Sequence, residues 1–198
     1  MNLVRSSLAG LRVLLALTLL LGLGYPLAVT GAGQVLFGWQ ADGSLVTADG
    51  SRTTDRSRAV GSALVGQQFT GDGWFHPRPS AAGDGYDTLA SGGSNLGPES
   101  PELAATIIER RAQVAATEGV PAFDVPPDAV TASGSGLDPD ISPAYAAIQV
   151  DRVAAARGLD PAQVRALVAE HTRGRTLGVL GDPRVDVLAL NQAIARLA

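Results

Sequence analysis

Few side chains in this chain could perform acid–base, nucleophilic or metal chemistry. Its 198 residues include no cysteine and no lysine, and the two histidines, His76 and His171, lie far apart in sequence. The absence of cysteine excludes disulfides and thiolate metal sites. The absence of lysine excludes a Walker A phosphate loop and Schiff-base catalysis. No arrangement of residues in the sequence predicts an independent enzyme.

Each histidine is better explained by packing than by catalysis. His76 stands in a Trp-Phe-His-Pro-Arg sequence at positions 74–78, with no second histidine or paired carboxylates at ligand spacing. His171 falls on the apolar face of a predicted helix that starts at Asp160-Pro161. We therefore expect both rings to be packed or hydrogen-bonded, and we predict no metal site.

Two glycine-rich loops have the composition of a phosphate cradle. Residues 91–96 read Ser-Gly-Gly-Ser-Asn-Leu and residues 131–136 read Thr-Ala-Ser-Gly-Ser-Gly, and a proline-initiated helix follows each. Free N–H groups, hydroxyls and a helix N-terminus together favour phosphate. Asp138 and Asp140 would repel it, so ordinary turn geometry is the alternative. Gln149 and Arg152 in the next helix either reach a ligand held by the second loop or lie on a solvated face.

The second half of the chain is predicted to be helical. Helices are expected to begin at Ser100-Pro101, Ser142-Pro143, Asp160-Pro161 and Asp186, and the first three are expected to end at Gly119, Gly158 and Gly174. The last helix should pack through Val187, Leu190, Asn191, Ile194 and Leu197. The first half is loop-rich: residues 38–58 read as a connector or weak hairpin, and 70–100 as a long irregular loop of the kind that is often functional. The fold class is therefore α+β.

An uncharged segment from residue 13 to residue 39 predicts a single transmembrane helix. As a helix it would extend roughly 40 Å, against about 30 Å of hydrocarbon core. Arg5 and Arg12 both precede it, which places the N-terminus in the cytoplasm and the bulk of the chain outside the cell. The predicted divisions are a cytoplasmic N-terminus (1–12), the transmembrane helix (13–35), a connector (36–58) and one extracytoplasmic domain (59–198). The alternative is a signal peptide cleaved within residues 30–33.

The charge distribution limits the partners of the outer part. All 19 acidic side chains follow residue 40, together with 13 of the 15 arginines. A net negative domain argues against nucleic acid and against anionic lipid as binding partners. Contact with membrane lipid is expected through the transmembrane helix, residues 13–35.

A series of short motifs runs along nearly the whole chain. They are Tyr25-Pro26 and the residues at 61–67, 74–75, 78–81, 91–96, 130–139, 141–143, 171–172, 174–175, 177–178, 183–185 and 191. In this order they resemble the KdpC family, the C subunits of the bacterial Kdp potassium-transporting P-type ATPase. Trp74 stands where this family often has another aromatic residue, and Asp140 where it often has histidine.

The resemblance implies a non-catalytic accessory subunit of a high-affinity potassium uptake pump in the cell membrane of a bacterium. Its partners would be a potassium-translocating channel-like subunit, a P-type ATPase subunit and a very small membrane subunit. The phosphorylation motif Asp-Lys-Thr-Gly cannot occur in a chain without lysine, so hydrolysis would belong to the ATPase subunit. The rival interpretation is an anchored extracytoplasmic ligand-binding protein or enzyme unrelated to potassium transport.

The resemblance also implies a role as a catalytic chaperone that raises the ATP affinity of the pump. No tightly bound cofactor is expected, and ATP is the one ligand implied. Its contacts, carried over from the family, would be Ser133, Gly134, Ser135, Gly136 and Gln149. Because these residues are expected outside the cell and ATP is inside, topology favours assembly, or a cap at the potassium entrance, over a direct nucleotide site. The residues expected to contact the partner subunits are Trp74, Phe75, Arg78, Ser91, Gly92, Gly93 and Asn95.

Overall fold

The computed structural model describes residues 2–197, and its most extended feature is an apolar helix at the N-terminus. The helix comprises α1 (Asn2–Leu19), a π-helical turn (Leu20–Gly24) and α2 (Tyr25–Leu36). It is long and apolar enough to cross a membrane, and no side chain in the span Leu3–Leu36 is buried against the rest of the chain. The π turn ends two residues before Pro26, whose missing N–H and bulky ring disturb the preceding turn of a regular helix.

The segment after the helix folds back as a short hairpin. Helix α3 (Gly38–Ala41) leads into β1 (Leu45–Val46), which pairs antiparallel with β2 (Gly61–Ser62). The predicted turn signals at 42–43 and 49–50 hold, since Gly43 and Gly50 both adopt positive φ. A long stretch without regular helices follows, up to residue 100.

Four helices and three very short strands make up the second half. The helices are α4 (Pro101–Glu118), α5 (Pro143–Arg157), α6 (Pro161–Glu170) and α7 (Val187–Ala195). The strands are β3 (Asp140–Ile141), β4 (Thr172–Arg173) and β5 (Arg184–Asp186), in the antiparallel order β3-β5-β4. Two 3₁₀ turns, Ala122–Asp124 and Pro127–Ala129, connect α4 to this part.

The predicted helix starts are confirmed by their caps. The side chains of Ser100, Ser142, Asp160 and Asp186 each accept a hydrogen bond from a backbone N–H in the first turn. Gly119 and Gly158 end α4 and α5 in the left-handed conformation, where a side chain would be strained.

Two boundary predictions are wrong. Helix α6 ends at Glu170 instead of continuing to Gly174, because Thr172 and Arg173 pair with β5. Leu197 lies beyond the end of α7 and is half exposed, so it is not part of the apolar face. The core sits between α5, α6, α7 and the three-stranded sheet, and Phe75 is the largest side chain in it with no exposed surface.

Candidate functional site

Side chains of α5 and α7 hold a loop from the first half of the domain by hydrogen bonds. The loop comprises residues 72–80, and we call it the Trp74 segment. Gln149 accepts from the N–H of His76 at 2.6 Å and donates to its carbonyl at 3.1 Å. Asn191 makes the same pair of bonds to Phe75, at 2.8 and 2.9 Å. Both amides are fully buried, so each satisfies two backbone groups that would otherwise be costly to remove from water.

Arg152 connects the same segment to α4. Its guanidinium donates to Glu118 at 2.8 Å, to the carbonyls of Asp72 and Trp74 at 2.7 and 2.9 Å, and to Gln149 at 2.9 Å. The ion pair with Glu118 is buried, with 8% and 2% of the two side chains exposed. A buried pair is stable only if its remaining polar groups are satisfied, and these four bonds do so for the arginine.

The Trp74 ring is stacked between two neighbours. The Arg157 guanidinium lies 4.0 Å from the ring centroid and also donates to the carbonyl of Gly73 at 2.8 Å. Phe69 packs at a tilt on the indole, with centroids 6.0 Å apart. Part of the indole remains exposed, so the structure presents it at the surface in a fixed orientation.

Arg78 links the Trp74 segment to the second glycine-rich stretch. It pairs with Asp138 at 2.9 Å and donates to the carbonyl of Thr131 at 3.4 Å. The Tyr86 hydroxyl donates to the carbonyl of Arg78 at 2.6 Å. Burial and the nearby charge of Asp138 raise the pKa of the Tyr86 phenol, so it remains a hydrogen-bond donor at neutral pH.

The two glycine-rich loops pack against each other; we call residues 91–96 the first glycine loop and 131–136 the second. The carbonyl of Ser135 accepts from the Gly92 N–H at 2.8 Å and from the Ser91 hydroxyl at 2.9 Å. A Cβ on Gly93 would lie 3.0 Å from the carbonyl oxygen of Gly134. Their glycines therefore allow the close approach of two backbones.

The second glycine loop is equally tight against the residues that follow the Trp74 segment. A Cβ on Gly136 would lie 2.7 Å from atoms of Ala82 and from the carbonyl oxygen of Gly92. Ser80 donates to the carbonyl of Gly136 at 2.7 Å, and Ser133 donates its N–H to Pro79 at 3.2 Å.

Most of the predicted nucleotide contacts are bonded to the protein itself or buried. The hydrogen bonds that Gln149 makes within residues 2–197 go to His76 and Arg152, and none goes to the second glycine loop. The N–H groups of Ser133 and Gly136 bond within the protein, and the Ser133 hydroxyl is buried without a partner. Gly134 and Ser135 are the exposed members of the set.

The predicted partner contacts divide into exposed and buried residues. Ser91 and Asn95 are exposed, and Gly92, Gly93, Trp74 and Arg78 are partly so. The Phe75 ring lies in the core with no exposed surface. Phe75 therefore offers nothing to a partner, and we leave it out of the contact surface proposed below.

Both histidines are hydrogen-bonded, as expected. His76 Nε2 lies 3.0 Å from the carbonyl oxygen of Gly71, and His171 Nδ1 lies 2.9 Å from that of Leu167. Burial and then the charge of Arg152 lower the pKa of His76, which keeps its ring neutral at physiological pH. It borders an open cavity of about 470 Å³ that Arg78 and Tyr86 also line. Within residues 2–197 no three His, Asp or Glu side chains form a group that could hold a metal ion.

Sequence reasoning missed the residues that fix these loops. The sequence predicts Asn191 on an apolar helix face and Arg152 at a ligand or in solvent, and it indicates no role for Arg157 or Tyr86. A signal was present for Asn191, because it is, like Gln149, an amide on an otherwise apolar helix face, which is the pattern of a buried polar group with a specific partner.

The fold combines an apolar helix long enough to cross a membrane with a domain in which buried polar side chains hold the protein's own loops. The family model described as "K+-transporting ATPase, c chain" matches residues 7–196. Proteins called "Potassium-transporting ATPase KdpC subunit" are similar along the whole chain. That of Kineococcus radiotolerans is 57% identical over 100% of this chain and 96% of its own length.

Two further relatives with the same description agree. The protein of Gemmatimonas aurantiaca is 58% identical over 92% of this chain and 88% of its own length. That of Mycobacterium tuberculosis is 50% identical over 98% of this chain and 99% of its own length. The chain belongs to the KdpC family, and it is an accessory subunit of the potassium pump. The rival interpretation, an anchored protein unrelated to potassium transport, is not favoured.

Proposed function

We propose that the chain crosses the bacterial cell membrane once, with its N-terminus in the cytoplasm and its folded domain outside. Arg5 and Arg12 precede the uncharged segment of residues 13–39, which supports this orientation. There it joins the potassium-translocating channel-like subunit, the P-type ATPase subunit and the very small membrane subunit. Catalysis by the ATPase subunit fits a chain without lysine.

The orientation can be tested with single cysteines, because the natural chain has none. Ser6→Cys should react with a membrane-impermeant maleimide only after cells are opened. Leu89→Cys, at a side chain that is 96% exposed, should react in intact cells. The reverse pattern would place the domain in the cytoplasm and overturn the proposal.

We further propose that the Trp74 segment and the glycine loops act in assembly, and that any rise in ATP affinity is indirect. The observation that carries this is the engagement of Gln149, whose amide already satisfies the backbone of His76. The exposed edge of Trp74, the charge of Arg78 and the first glycine loop form the contact surface. Trp and Arg are the residue types most enriched at interface hot spots.

Copurification tests the contact surface. We expect Trp74→Ala and Arg78→Ala to reduce the amount of channel-like subunit that copurifies with the full chain, and Trp74→Ala to do so most. Arg165→Ala is the control, because its ion pair with Asp151 lies at the surface, with 58% and 73% of the side chains exposed. A thermal unfolding curve for each variant separates lost contact from lost folding. Normal copurification by both folded variants would refute the contact surface.

An ATP titration tests the nucleotide interpretation. The double variant Ser133→Ala, Ser135→Ala removes one buried hydroxyl without a partner and one that accepts from the N–H of Leu137, so we expect it to fold. Assembled pumps with wild-type or variant subunit are compared at equal stoichiometry. We expect the same apparent ATP affinity. A large increase in the ATP required, with normal assembly, would establish direct contact and reject our proposal.

A further inference from the structure

The connection between β4 and β5 carries an exposed apolar tip that the function above does not use. Thr176 and Leu180 form an isolated antiparallel bridge, and Leu177 and Gly178 turn the chain between them with positive φ. Leu177, Val179 and Leu180 are 87%, 72% and 59% exposed. We call these three residues the aliphatic tip. Outside the N-terminal helix, no other four-residue stretch of the described chain exposes three large apolar side chains.

Three arginines surround the neck of this connection. Arg173 pairs with Asp186 at 3.8 Å, Arg175 with Asp182 at 2.9 Å, and Arg184 with Asp140 at 3.0 Å. The arginine side chains are 60%, 49% and 39% exposed, whereas those of Asp186 and Asp140 are 6% and 22% exposed. The carboxylate of Asp182 is 86% exposed. The neck therefore presents three guanidinium groups and one carboxylate outward, although the domain as a whole carries more acid than base.

The base of the connection lies beside the residues that leave the membrane helix. Arg173 and Asp186 line a cavity of about 200 Å³ together with Trp39, three residues after the end of α2. Trp39 is fixed there, since its indole N–H donates to the carbonyl of Leu45 at 2.8 Å and the Arg52 guanidinium lies 4.3 Å from its ring. The base of the connection is therefore close to the end of the membrane helix, and the aliphatic tip begins four residues after Arg173.

We propose that the aliphatic tip inserts into the interfacial region of the phospholipid bilayer, with the neck arginines at the level of the lipid phosphates. Apolar side chains above a belt of arginine are typical of surfaces that lie in the membrane interface. The guanidinium fork matches phosphate geometry. A protein partner is the weaker occupant, because Leu and Val are under-represented at interface hot spots and the tip has no aromatic residue. The insertion does not depend on pump assembly or on which side of the membrane the domain occupies.

A spin label tests this in the full chain, without partner subunits. The chain is reconstituted in vesicles of phosphatidylcholine and phosphatidylglycerol, with a nitroxide on Val179→Cys. Leu17→Cys serves as the lipid reference and Leu89→Cys as the water reference. We expect the label at 179 to show high accessibility to oxygen and loss of accessibility to a water-soluble nickel chelate, as at 17. A label at 179 that behaves like the one at 89 would overturn the proposal.

Two further measurements keep the test specific. Adding Leu177→Ser and Leu180→Ser should return the label at 179 to water, whereas adding Phe123→Ser, at an exposed side chain elsewhere, should not. If the serine changes leave the label in lipid, the tip does not drive insertion and the proposal fails. If the label is in water in vesicles but protected in the assembled pump, the tip contacts a protein subunit and the lipid interpretation is wrong.

Discussion

The Trp74 segment and the pair of glycine loops are both irregular, yet opposite means hold them in place. The Trp74 segment is fixed by long polar side chains that reach up from helices: Gln149, Arg152, Arg157 and Asn191. The glycine loops are fixed by backbones that approach each other where side chains are absent, as at Gly93 and Gly136. The Trp74 segment therefore requires particular side chains on the helices, whereas the close approach of the glycine loops requires positions without a side chain.

This difference explains why each region resembles a ligand site in sequence. A buried amide or arginine on a helix looks like a group that awaits a substrate, and a run of glycine and serine looks like a phosphate cradle. In this chain the buried side chains and the glycine loops both form hydrogen bonds with the protein's own backbone. Variants that remove either a side-chain hydrogen bond or a close backbone contact therefore show how much each contributes to the stability of the fold.

The largest effect is expected for Arg152→Ala. The change leaves Glu118 as a buried carboxylate without its partner and frees the carbonyls of Asp72 and Trp74. Removing one partner of a buried pair costs about 3–5 kcal/mol. Denaturant unfolding of the full chain in detergent measures this. Arg165→Ala, which breaks an exposed pair, should cost less than about 1 kcal/mol. Similar small losses for both would mean that the Trp74 segment is held without the arginine.

The next effect is expected for Gly136→Ala. Residue 136 has φ of +68°, and a Cβ there would lie 2.7 Å from Ala82 and from the carbonyl oxygen of Gly92. Left-handed backbone and overpacking together predict a loss of about 2–4 kcal/mol. Gly134→Ala is the matched control in the same loop, since a Cβ there meets nothing within 4 Å, and it should change stability by about 0.5 kcal/mol or less. Equal losses would show that chain flexibility, and not close packing, sets the need for glycine.

The smallest effect on stability is expected for Asp140, which lies in β3 shortly after the second glycine loop. Burial, and then the charge of Asp186, raise the pKa of the Asp140 carboxyl above its ordinary value. The folded chain thus holds this proton more tightly than the unfolded chain does. The stability that Asp140 contributes is complete below its unfolded pKa and is lost as pH rises through the raised folded pKa.

Asp140→Asn removes that titration. Wild type should therefore lose stability relative to the variant as pH rises from about 3 to 7, by less than about 1 kcal/mol because the side chain is partly exposed and paired with Arg184. Thermal unfolding across this range measures the difference. Parallel curves for the two proteins, or a relative gain for wild type with rising pH, would contradict it.

Local signals predicted the helices well, because their caps depend on neighbours in sequence. Ser100-Pro101 and Asp160-Pro161 each contain both the side chain that caps and the residue that starts the helix. The sheet β3-β5-β4 was not predicted, because strands of two or three residues are too short to show alternation. The end of α6 was predicted wrongly for the same reason, because the strand β4 that follows the helix is only two residues long.

The loop assembly could be predicted only in part. The sequence identified both glycine loops and the Trp74 segment as candidates, and the family resemblance is confirmed. What holds the loops could not be derived, because Gln149 meets His76 across 73 positions and Asn191 meets Phe75 across 116. Such pairs depend on how the helices pack against the loops, and no local sequence pattern predicts that packing.

The contacts of α7 with the earliest part of the folded domain bear on how the protein is made. Gln192 donates to the carbonyl of Thr47 at 3.0 Å, and Arg196 donates to that of Asp49 at 2.9 Å. During synthesis, at about 5–20 residues per second, the β1 hairpin emerges many seconds before α7 exists. Until then the hairpin lacks its partner helix, and the core cannot close around Phe75. The domain can therefore close only after α7 has been made, and a nascent chain stalled before residue 187 should remain open to proteases beside the membrane.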